Sequence, residues 1–367
     1  MHEEAKQILN KPPAGWITMG IETSCDETAV SLVEDGRRVL SSVVASQIPV
    51  HQKFGGVVPE VASRQHVETI TQVIEEALRQ ARKPLKAVNQ IAVTYGPGLV
   101  GALLVGVAAG KALAYGRGLP LNGVNHIEGH LFANFIQSPE LEPPLLALIV
   151  SGGHTHLVYM RDYGRYEVLG KTRDDAAGEA FDKVARVLEL GYPGGPLIDA
   201  AAQRGNPQAI AFPRAVLEET SWDFSFSGLK SAVLNHVNTA RMKGEALHTE
   251  DVAASFQQAV VDVLVKKTIE CARENKLEQV VLSGGVAANS QLRHVLASAC
   301  SDAGIRFYVP DLCLCTDNGA MIACAGYYDY CLGIQSRWNL NAVANLIIGE
   351  RNPQWHDVPE PADSSGC

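Results

Sequence analysis

The sequence lacks both an excess of positive charge and a long apolar segment. It has 31 lysines and arginines against 40 aspartates and glutamates, which gives a net charge of −9. This balance argues against a broad basic surface, so a nucleic-acid partner would be bound by a local patch or with helper proteins. The most apolar stretch, residues 98–110, is shorter than the roughly 20 residues needed to span a bilayer and is rich in glycine. We predict that it is a buried helix and that the protein does not associate with a membrane.

The cysteines and the N-terminal segment also lack the features of a secreted protein. The eight cysteines have no regular spacing, and residues 1–15 are polar, without the apolar core of a signal peptide. We therefore predict reduced thiols in a cytoplasmic protein, with an organelle as an alternative. Cys313 and Cys315 could be extra metal ligands, but a bystander pair is the preferred interpretation. Residues 1–15 and 349–367 are predicted to be a flexible extension and a flexible tail.

A pair of histidines one helical turn apart is the most informative feature of the chain. His126 and His130 share one face of a predicted helix, so both imidazoles can reach a single metal ion. Asp317, from a distant segment, could supply a third ligand, and such an open set of three is typical of catalytic metal sites. Alone, the pair is equally compatible with histidines that simply pack. The metalloprotease motif needs Glu directly after the first His, where this chain has Ile127.

The pattern of predicted strands and helices occurs twice. The first half reads β-β-β-α-β-α-β-α, and the second half also begins with three strands before its helices and further strands. Both halves start with hairpin strands around a turn that contains glycine or hydroxyl residues. The pattern predicts two similar α/β domains, residues 16–143 and 144–315, with a ligand cleft between them. A closing helix, residues 316–332, is a candidate to pack back onto the first domain.

Three turns have the composition of anion-binding loops. They are residues 20–28, 151–155 and 283–289, and their small residues leave backbone N–H groups free to face a phosphate. The first turn carries Asp26 and Glu27, which could hold a metal-bound water or orient an amine nucleophile. By composition alone an ordinary acidic hairpin tip explains them better. The occurrence of three such turns over both halves favours a ligand site.

A group of carboxylates in the second half is a further candidate for ligand contact. Asp175, Glu179 and Asp182 are spaced to share one helix face, and a solvated acidic face is the default explanation. The neighbouring Phe181 suggests that this helix is partly packed, in which case a carboxylate could accept bonds from ribose hydroxyls. Asp199 follows a rigid glycine turn, residues 192–196.

These segments, in this order, resemble the TsaD/Kae/Qri family of tRNA threonylcarbamoyladenosine synthases. The resemblance extends from residue 17 to about residue 332, and so many blocks in order make it specific. The matching blocks are residues 20–30, 55–66, 96–110, 126–130, 150–154, 178–183, 193–196, 223–230, 283–289 and 315–323.

The resemblance implies a fold and a reaction. The fold is the duplicated two-domain α/β architecture of actin-like and Hsp70-like proteins (the ASKHA fold), with an interdomain cleft. The reaction transfers a threonylcarbamoyl group from threonylcarbamoyl-AMP to N6 of adenosine 37 in tRNAs that read codons starting with A. The implied partners are tRNA, a TsaB-like paralogue and a TsaE-like ATPase.

The resemblance also implies roles for individual residues. His126, His130 and Asp317 match the family's ligands for one divalent or ferric metal ion, iron or zinc. Asp26 and Glu27 match acidic residues needed for activity, and Asp26 is the candidate to orient or deprotonate the incoming amine. The positions that match the family's substrate contacts are Ile149, Val150, Ser151, Gly152, Gly153, Asp182, Gly195, Asp199 and Asn289.

Three other functions fit the sequence less well. A metallopeptidase is disfavoured by the missing Glu after His126. A sugar kinase or ATPase of the same fold would hold Mg²⁺ through carboxylates and phosphates, without a histidine pair. A non-catalytic paralogue would be expected to lose the metal-binding residues, which are intact here.

Overall fold

Two five-stranded sheets form the framework of the protein. The computed structural model describes residues 7–214 and 221–351, so residues 1–6 and 352–367 of the predicted flexible ends lie outside the described residues. The first sheet has the order β3-β2-β1-β4-β5 and the second the order β10-β9-β6-β7-β8. The strands of the first sheet are β1 (Ile17–Glu22), β2 (Glu27–Glu34), β3 (Arg38–Ser46), β4 (Gln90–Gly96) and β5 (Leu121–Asn125). Those of the second are β6 (Leu145–Val150), β7 (Thr155–Asp162), β8 (Arg165–Lys171), β9 (Gln279–Ser283) and β10 (Arg306–Tyr308).

The second sheet repeats the first strand for strand. In each sheet the first three strands form an antiparallel meander, and two later strands add in parallel beside the first of them. The central strands β1, β4 and β6 are buried along their whole length, as expected for sheets covered on both faces. The duplicated α/β fold of the actin-like class predicted from the sequence is therefore confirmed.

Helices cover both sheets, and one helix lies between them. The helices are α1 (Ile48–His51), α2 (Pro59–Ala81), α3 (Val100–Arg117), α4 (His126–Gln137), α5 (Ala177–Val187), α6 (Gly194–Ala202), α7 (Ser227–Lys243), α8 (Thr249–Glu274), α9 (Ser290–Asp302), α10 (Leu312–Cys315) and α11 (Gly319–Cys331). Helices α2 and α3 pack on the first sheet, and α5 to α9 belong to the second half. Helix α4 contacts β5 of the first sheet and β6 and β9 of the second, which places its residues at the junction of the two halves.

The most apolar helix, α3, packs on the first sheet. Among the described residues it is the one helix long and apolar enough to cross a membrane, and 33% of it is buried. Its buried residues recur at helical spacing and include Ala102, Leu103, Gly106 and Val107, on the side that contacts β4 and α2. The helix thus has one packed face and an opposite face that includes the exposed Leu104.

The closing helix α11 packs against the first sheet and against α4. It begins at Gly319, three residues later than the sequence predicted, because Asn318 caps it by accepting a bond from the Met321 amide at 2.9 Å. Asp317 therefore lies in a short extended connection between α10 and α11. The chain after α11 also runs along the first half, where Ser336 N–H donates to the Leu121 carbonyl and Val343 N–H to that of Tyr95.

Candidate active site

The ends of five strands bring the candidate residues together. β1, β4 and β5 are parallel in the first sheet, and β6 and β9 are parallel in the second, so their carboxyl ends lie on one edge of each sheet. Glu22 ends β1, and His126 directly follows β5. Ser151 follows β6, and the third predicted turn follows β9 at Ser283. The parallel topology, which no short motif reveals, is the reason that these distant segments meet.

His126, His130 and Asp317 form a cluster able to hold a metal ion. One ligand atom from each lies within 4.8 Å of the others. The Asp317 Oδ1 atom lies 3.6 Å from His126 Nε2 and 3.3 Å from His130 Nε2. His130 is fully buried, its Nδ1 has no partner among the described residues, and its Nε2 has no polar contact there besides the long one with Asp317. A buried imidazole with so few partners is costly, and coordination of a metal would satisfy it, so these residues fit the implied group.

Glu22 is a site residue that sequence reasoning missed. Its Oε2 lies 3.0 Å from His126 Nδ1, and the carboxylate also accepts bonds from Ser24 N–H at 2.5 Å and Thr94 Oγ1 at 2.6 Å. A carboxylate on Nδ1 fixes the tautomer and the ring orientation, which leaves Nε2 to face Asp317. The signal in the sequence was an acidic residue at the end of an otherwise uncharged strand.

The charges around the cluster stabilise a cation there. Burial lowers the pKa of His126, but the charges of Asp317 and Glu22 outweigh it and raise that pKa to about 9. Burial also opposes ionisation of Asp317, yet His126 and His130 lower its pKa to about 2. The cluster therefore holds positive charge between two carboxylates, whether the charge is a proton or a metal ion.

A cavity of about 340 Å³ lies beside the cluster in the cleft. It reaches the cluster through Thr316, the neighbour of Asp317, and its walls include Phe181 and Tyr192, which the sequence did not indicate as contacts. Of the residues predicted to contact substrate or to act in catalysis, the cavity is lined by Asp26, Glu27, Gly152, Asp182, Gly195, Asp199 and Asn289. Its volume is in the range expected for a small-molecule site.

Four other predicted residues lie apart from this cavity. Ile149 and Val150 are fully buried, with side chains in two hydrophobic core clusters, so only their backbone could meet a ligand. Ser151 is largely buried and forms the base of the turn, where its N–H donates to the His154 carbonyl at 2.8 Å. Gly153 lines a different groove on the far side of that turn. The turn therefore divides two cavities.

Three glycines of the cavity face empty space. A Cβ atom built on Gly152, Gly195 or Gly285 would meet no protein atom within 4 Å. Gly178 differs, because a Cβ there would lie 2.5 Å from the carbonyl oxygen of Ser151, so glycine is needed for α5 to approach the turn. The absence of side chains at the first three positions leaves bare backbone exposed to whatever fills the cavity.

A polar network fixes the far wall of the cavity. The Asn289 side-chain amide donates to Gln257 Oε1 at 2.7 Å and lies 3.3 Å from Asp199 Oδ1, while its own Oδ1 caps α9. Gln257 also donates to Asp199 at 3.0 Å. Gln257 comes from α8 and is a second residue that sequence reasoning missed, since a glutamine within a long helix has no distinguishing pattern. Asp182 accepts a bond from the Gly194 N–H at 2.7 Å, which positions α6.

Asp26 and Glu27 lie at the turn between β1 and β2, on the wall nearest the first half. Asp26 is only 8% exposed. Burial, followed by the charges of Asp317 and Asp26, raises the pKa of Glu27 to about 10. His66 supports the turn, because it lies 2.8 Å from Thr28 Oγ1 through Nδ1 and 3.0 Å from the Cys25 carbonyl through Nε2. The turn is therefore a supported part of the cleft wall, although composition alone favoured an ordinary hairpin tip.

Glu128, the acidic residue of the histidine motif, faces away from the cluster and pairs with Arg351. The guanidinium of Arg351 bonds Glu128 at 2.9 Å and Asp329 at 2.8 Å, and both carboxylates are almost fully buried. Burial raises the pKa of Asp329 to about 7, although the charge of Arg351 opposes this. Arg351 thereby joins α4, which carries the two histidines, to α11, which follows Asp317.

Replacement of Arg351 by alanine should destabilise the fold. Removing one partner of a buried ion pair typically costs about 3–5 kcal/mol, because the charge that remains is buried without compensation. Urea denaturation of Arg351→Ala measures the loss. Arg38→Ala is a matched control, because Arg38 pairs with Glu34 while its own side chain is 75% exposed, and such pairs contribute about 1 kcal/mol or less. Equal losses in the two variants would show that the Arg351 pairs contribute no more than a surface contact.

Comparison with known proteins identifies a family for the chain. The family model for TsaD, described as tRNA N6-adenosine threonylcarbamoyltransferase, matches residues 38–324. A protein of that name from Clostridioides difficile is 59% identical over 334 residues, covering 91% of this chain and 99% of the relative. The protein of that name from Desulfitobacterium hafniense is 60% identical over 330 residues, covering 90% and 97%.

A solved structure shows the fold as well. The crystal structure of T. kodakarensis HypF superimposes with a TM-score of 0.59 at 15% sequence identity, covering 90% of this chain and 49% of that one. Identity this low shows a shared fold alone. The family match and the close relatives go further, and with them the chain belongs to the TsaD family of tRNA N6-adenosine threonylcarbamoyltransferases.

Proposed function

We propose that the chain performs its family's transfer with threonylcarbamoyl-AMP in the cleft cavity and a metal ion on His126, His130 and Asp317. The acceptor is N6 of adenosine 37 in tRNAs that read codons starting with A. The observation that supports this most is that one cavity, which Thr316 borders next to Asp317 of the metal-binding cluster, is lined by bare glycine backbone and by carboxylates able to bond ribose hydroxyls. A mixed anhydride of an adenylate needs all three: polarisation, phosphate binding and orientation.

The cavity walls suggest how the donor is held. Gly152 presents backbone to the phosphate, since no side chain there would keep the anion away. We assign Asp182 and Asp199, on α5 and α6, to accept bonds from ribose hydroxyls, with the side-chain amide of Asn289 holding Asp199 in position. Phe181 and Tyr192 supply apolar surface against the adenylate.

The metal-binding residues suit iron or zinc. Two imidazoles and one carboxylate form the ligand set of many catalytic iron and zinc centres, with positions left open for substrate. When bound, such an ion supplies Lewis acidity to the carbamoyl oxygen. Glu22 holds His126 in the ligating orientation, and Asp317 brings in the charge that offsets the cation.

The acidic turn would act on the incoming amine. In the transfer, N6 of adenosine bonds to the carbamoyl carbon, the carbamoyl–oxygen bond to phosphate breaks, and AMP leaves with the electron pair. N6 loses one proton in this step, and Asp26 is the candidate to accept it or to orient the amine, because it lies in the cavity wall near the cluster. Glu27 is its neighbour in the same wall and supports that role.

The partners and the compartment follow from charge and family. With a net charge of −9, the chain is unsuited to bind tRNA through a broad surface, and we propose that it does so with partner proteins. The family resemblance implies a TsaB-like paralogue and a TsaE-like ATPase as these partners, in the cytoplasm or, as the alternative, in an organelle. A peptidase function is disfavoured by the position of Glu128, whose carboxylate is bonded to Arg351 and to the Gly349 N–H.

Filling the donor cavity at Gly152 should weaken adenylate binding. A Cβ atom at this position meets no protein atom within 4 Å, so the side chain of a valine starts in the space that we assign to the phosphate. We expect calorimetry with AMP to show at least about a tenfold weaker affinity for Gly152→Val, a loss of about 1.4 kcal/mol or more. Metal content should stay unchanged. Gly116→Val, in an equally open position on α3, is the control, and an unchanged AMP affinity for Gly152→Val would place the donor elsewhere.

A further inference from the structure

A second groove approaches the metal-binding cluster from the other side of the glycine turn. It has a volume of about 600 Å³ and is formed by both halves and the C-terminal segment, through residues such as Pro97, Ile127, His154, Lys171 and Ile347. It shares no lining residue with the donor cavity. The two cavities are nevertheless neighbours, because Gly152 lines one and Gly153 lines the other.

The groove lies next to the reacting centre proposed above. Ile127 directly follows the metal-binding His126, and Gly98 adjoins Ser24, whose hydroxyl is 3.2 Å from His126 Nδ1. A transfer between two substrates requires that both reach one point, and the donor cavity accounts for only one of them. The position of the groove is therefore that of an acceptor site.

The lining of the groove suits an unstacked nucleobase. The rings of His154 and His156 are stacked, with centroids 5.5 Å apart and planes inclined by 26°. Burial, followed by the charge of Lys171, lowers the pKa of His156 to about 4, so its ring is uncharged at neutral pH. Ile347 adds apolar surface and is 54% exposed in spite of its size. Uncharged flat rings and apolar side chains are the surfaces on which single-stranded RNA bases stack.

The rim of the groove carries a cation that suits a phosphate. Lys171 ends β8 and is exposed, and Asp223 lines the same groove, where its carboxylate accepts the Lys171 backbone N–H at 2.9 Å and pairs with Arg173 at 2.8 Å. The Lys171 ammonium has no ion-pair partner within 4 Å in the described ranges 7–214 and 221–351, because Arg173 pairs with that carboxylate. On a chain with a net charge of −9, this ammonium is a local basic contact of the kind that a nucleic-acid strand requires.

We infer from this arrangement that the second groove binds the acceptor nucleotide of the tRNA, with the base against His156 and Ile347 and a flanking phosphate on Lys171. The inference rests on the proposed function, since it assigns the acceptor side of the same transfer. In this arrangement Lys171 and His156 position the tRNA and do not contact the donor or the metal ion.

The test is a transfer assay with the metal-loaded chain and its partner proteins, in which tRNA and donor are titrated separately. We expect Lys171→Ala to raise the half-saturating tRNA concentration several-fold. In a plot of the logarithm of tRNA affinity against the logarithm of salt concentration, its slope should be shallower by about one, because one phosphate contact is lost.

His156→Ala should raise the half-saturating tRNA concentration about tenfold, within the range measured for loss of one stacked base. His156→Phe should restore much of the affinity because it keeps a flat ring. The half-saturating donor concentration and the rate at saturating tRNA should stay near those of the parent protein.

Lys86→Ala is the matched control, because Lys86 is an exposed lysine that precedes β4, at the end of the first sheet opposite the cleft. Unchanged tRNA saturation in both groove variants, with an active parent protein, would overturn the inference and leave the proposed function standing. If the groove variants raise the half-saturating donor concentration and not that of tRNA, the groove belongs to the donor, and the inference is equally overturned. An inactive parent protein with metal and partners present would contradict the proposed function itself.

Discussion

Loss of the two histidines is expected to remove the metal and the transfer activity together. In the variant with both His126→Ala and His130→Ala, Asp317 is the only remaining member of the cluster, and a single carboxylate does not retain an ion that three ligands held. A Lewis-acid metal contributes several kcal/mol to such a step, and each ~1.4 kcal/mol is a factor of ten in rate. We therefore expect a decrease in single-turnover transfer of about 10³-fold or more, with metal measured by elemental analysis of the same samples.

The single variants separate metal binding from folding. His126→Ala leaves the buried carboxylate of Glu22 without its partner, so part of its effect is a loss of stability. His130→Ala removes an imidazole whose polar contact among the described residues is a long one to Asp317, so it should lower metal affinity with a smaller effect on stability. His294→Ala, an exposed histidine on α9, is the control. Full metal occupancy in the double variant would refute the assignment of these ligands.

Asp26→Asn is expected to slow the chemical step and to leave binding intact. The change keeps the shape of the side chain while removing its charge and its capacity to accept a proton. General-base catalysis typically contributes about 10²–10⁴-fold, so single-turnover transfer to tRNA should fall within that range. Metal content and AMP affinity should remain near those of the parent protein, because Asp26 is not part of the metal-binding cluster.

The control for this prediction is Asp302→Asn, at an exposed position at the end of α9. If Asp26→Asn transfers at the normal rate, Asp26 is a turn residue without a catalytic role. If it loses metal instead, the residue belongs to the coordination shell, and the proton acceptor must be sought elsewhere, at a group other than Glu27, whose raised pKa leaves its carboxyl protonated at neutral pH.

Much of the architecture could be predicted from the sequence because it depends on local patterns. The apolar residues predicted the strands β1, β2 and β6 to within one residue at each end, and the apolar spacing in α2 predicted a helix that begins at the observed Pro59 and ends one residue late. The start of α11 was predicted three residues too early, since the capping of a helix by Asn318 depends on its backbone conformation.

The sequence by itself determined the family and the chemical types of the candidate residues. The spacing of His126 and His130 places both on one helix face in any fold that keeps the helix, and the small residues of the turns permit close backbone approach wherever they lie. Only the tertiary structure decided which residues meet. The parallel strand ends bring Glu22 to His126, and the packing of α11 on α4 brings Asp317 to both histidines. The same packing pairs Glu128 with Arg351, and the turn at residues 151–154 separates Gly152 from Gly153 into two cavities. These relations join residues far apart in the chain, and no local pattern encodes them because they depend on how whole elements pack.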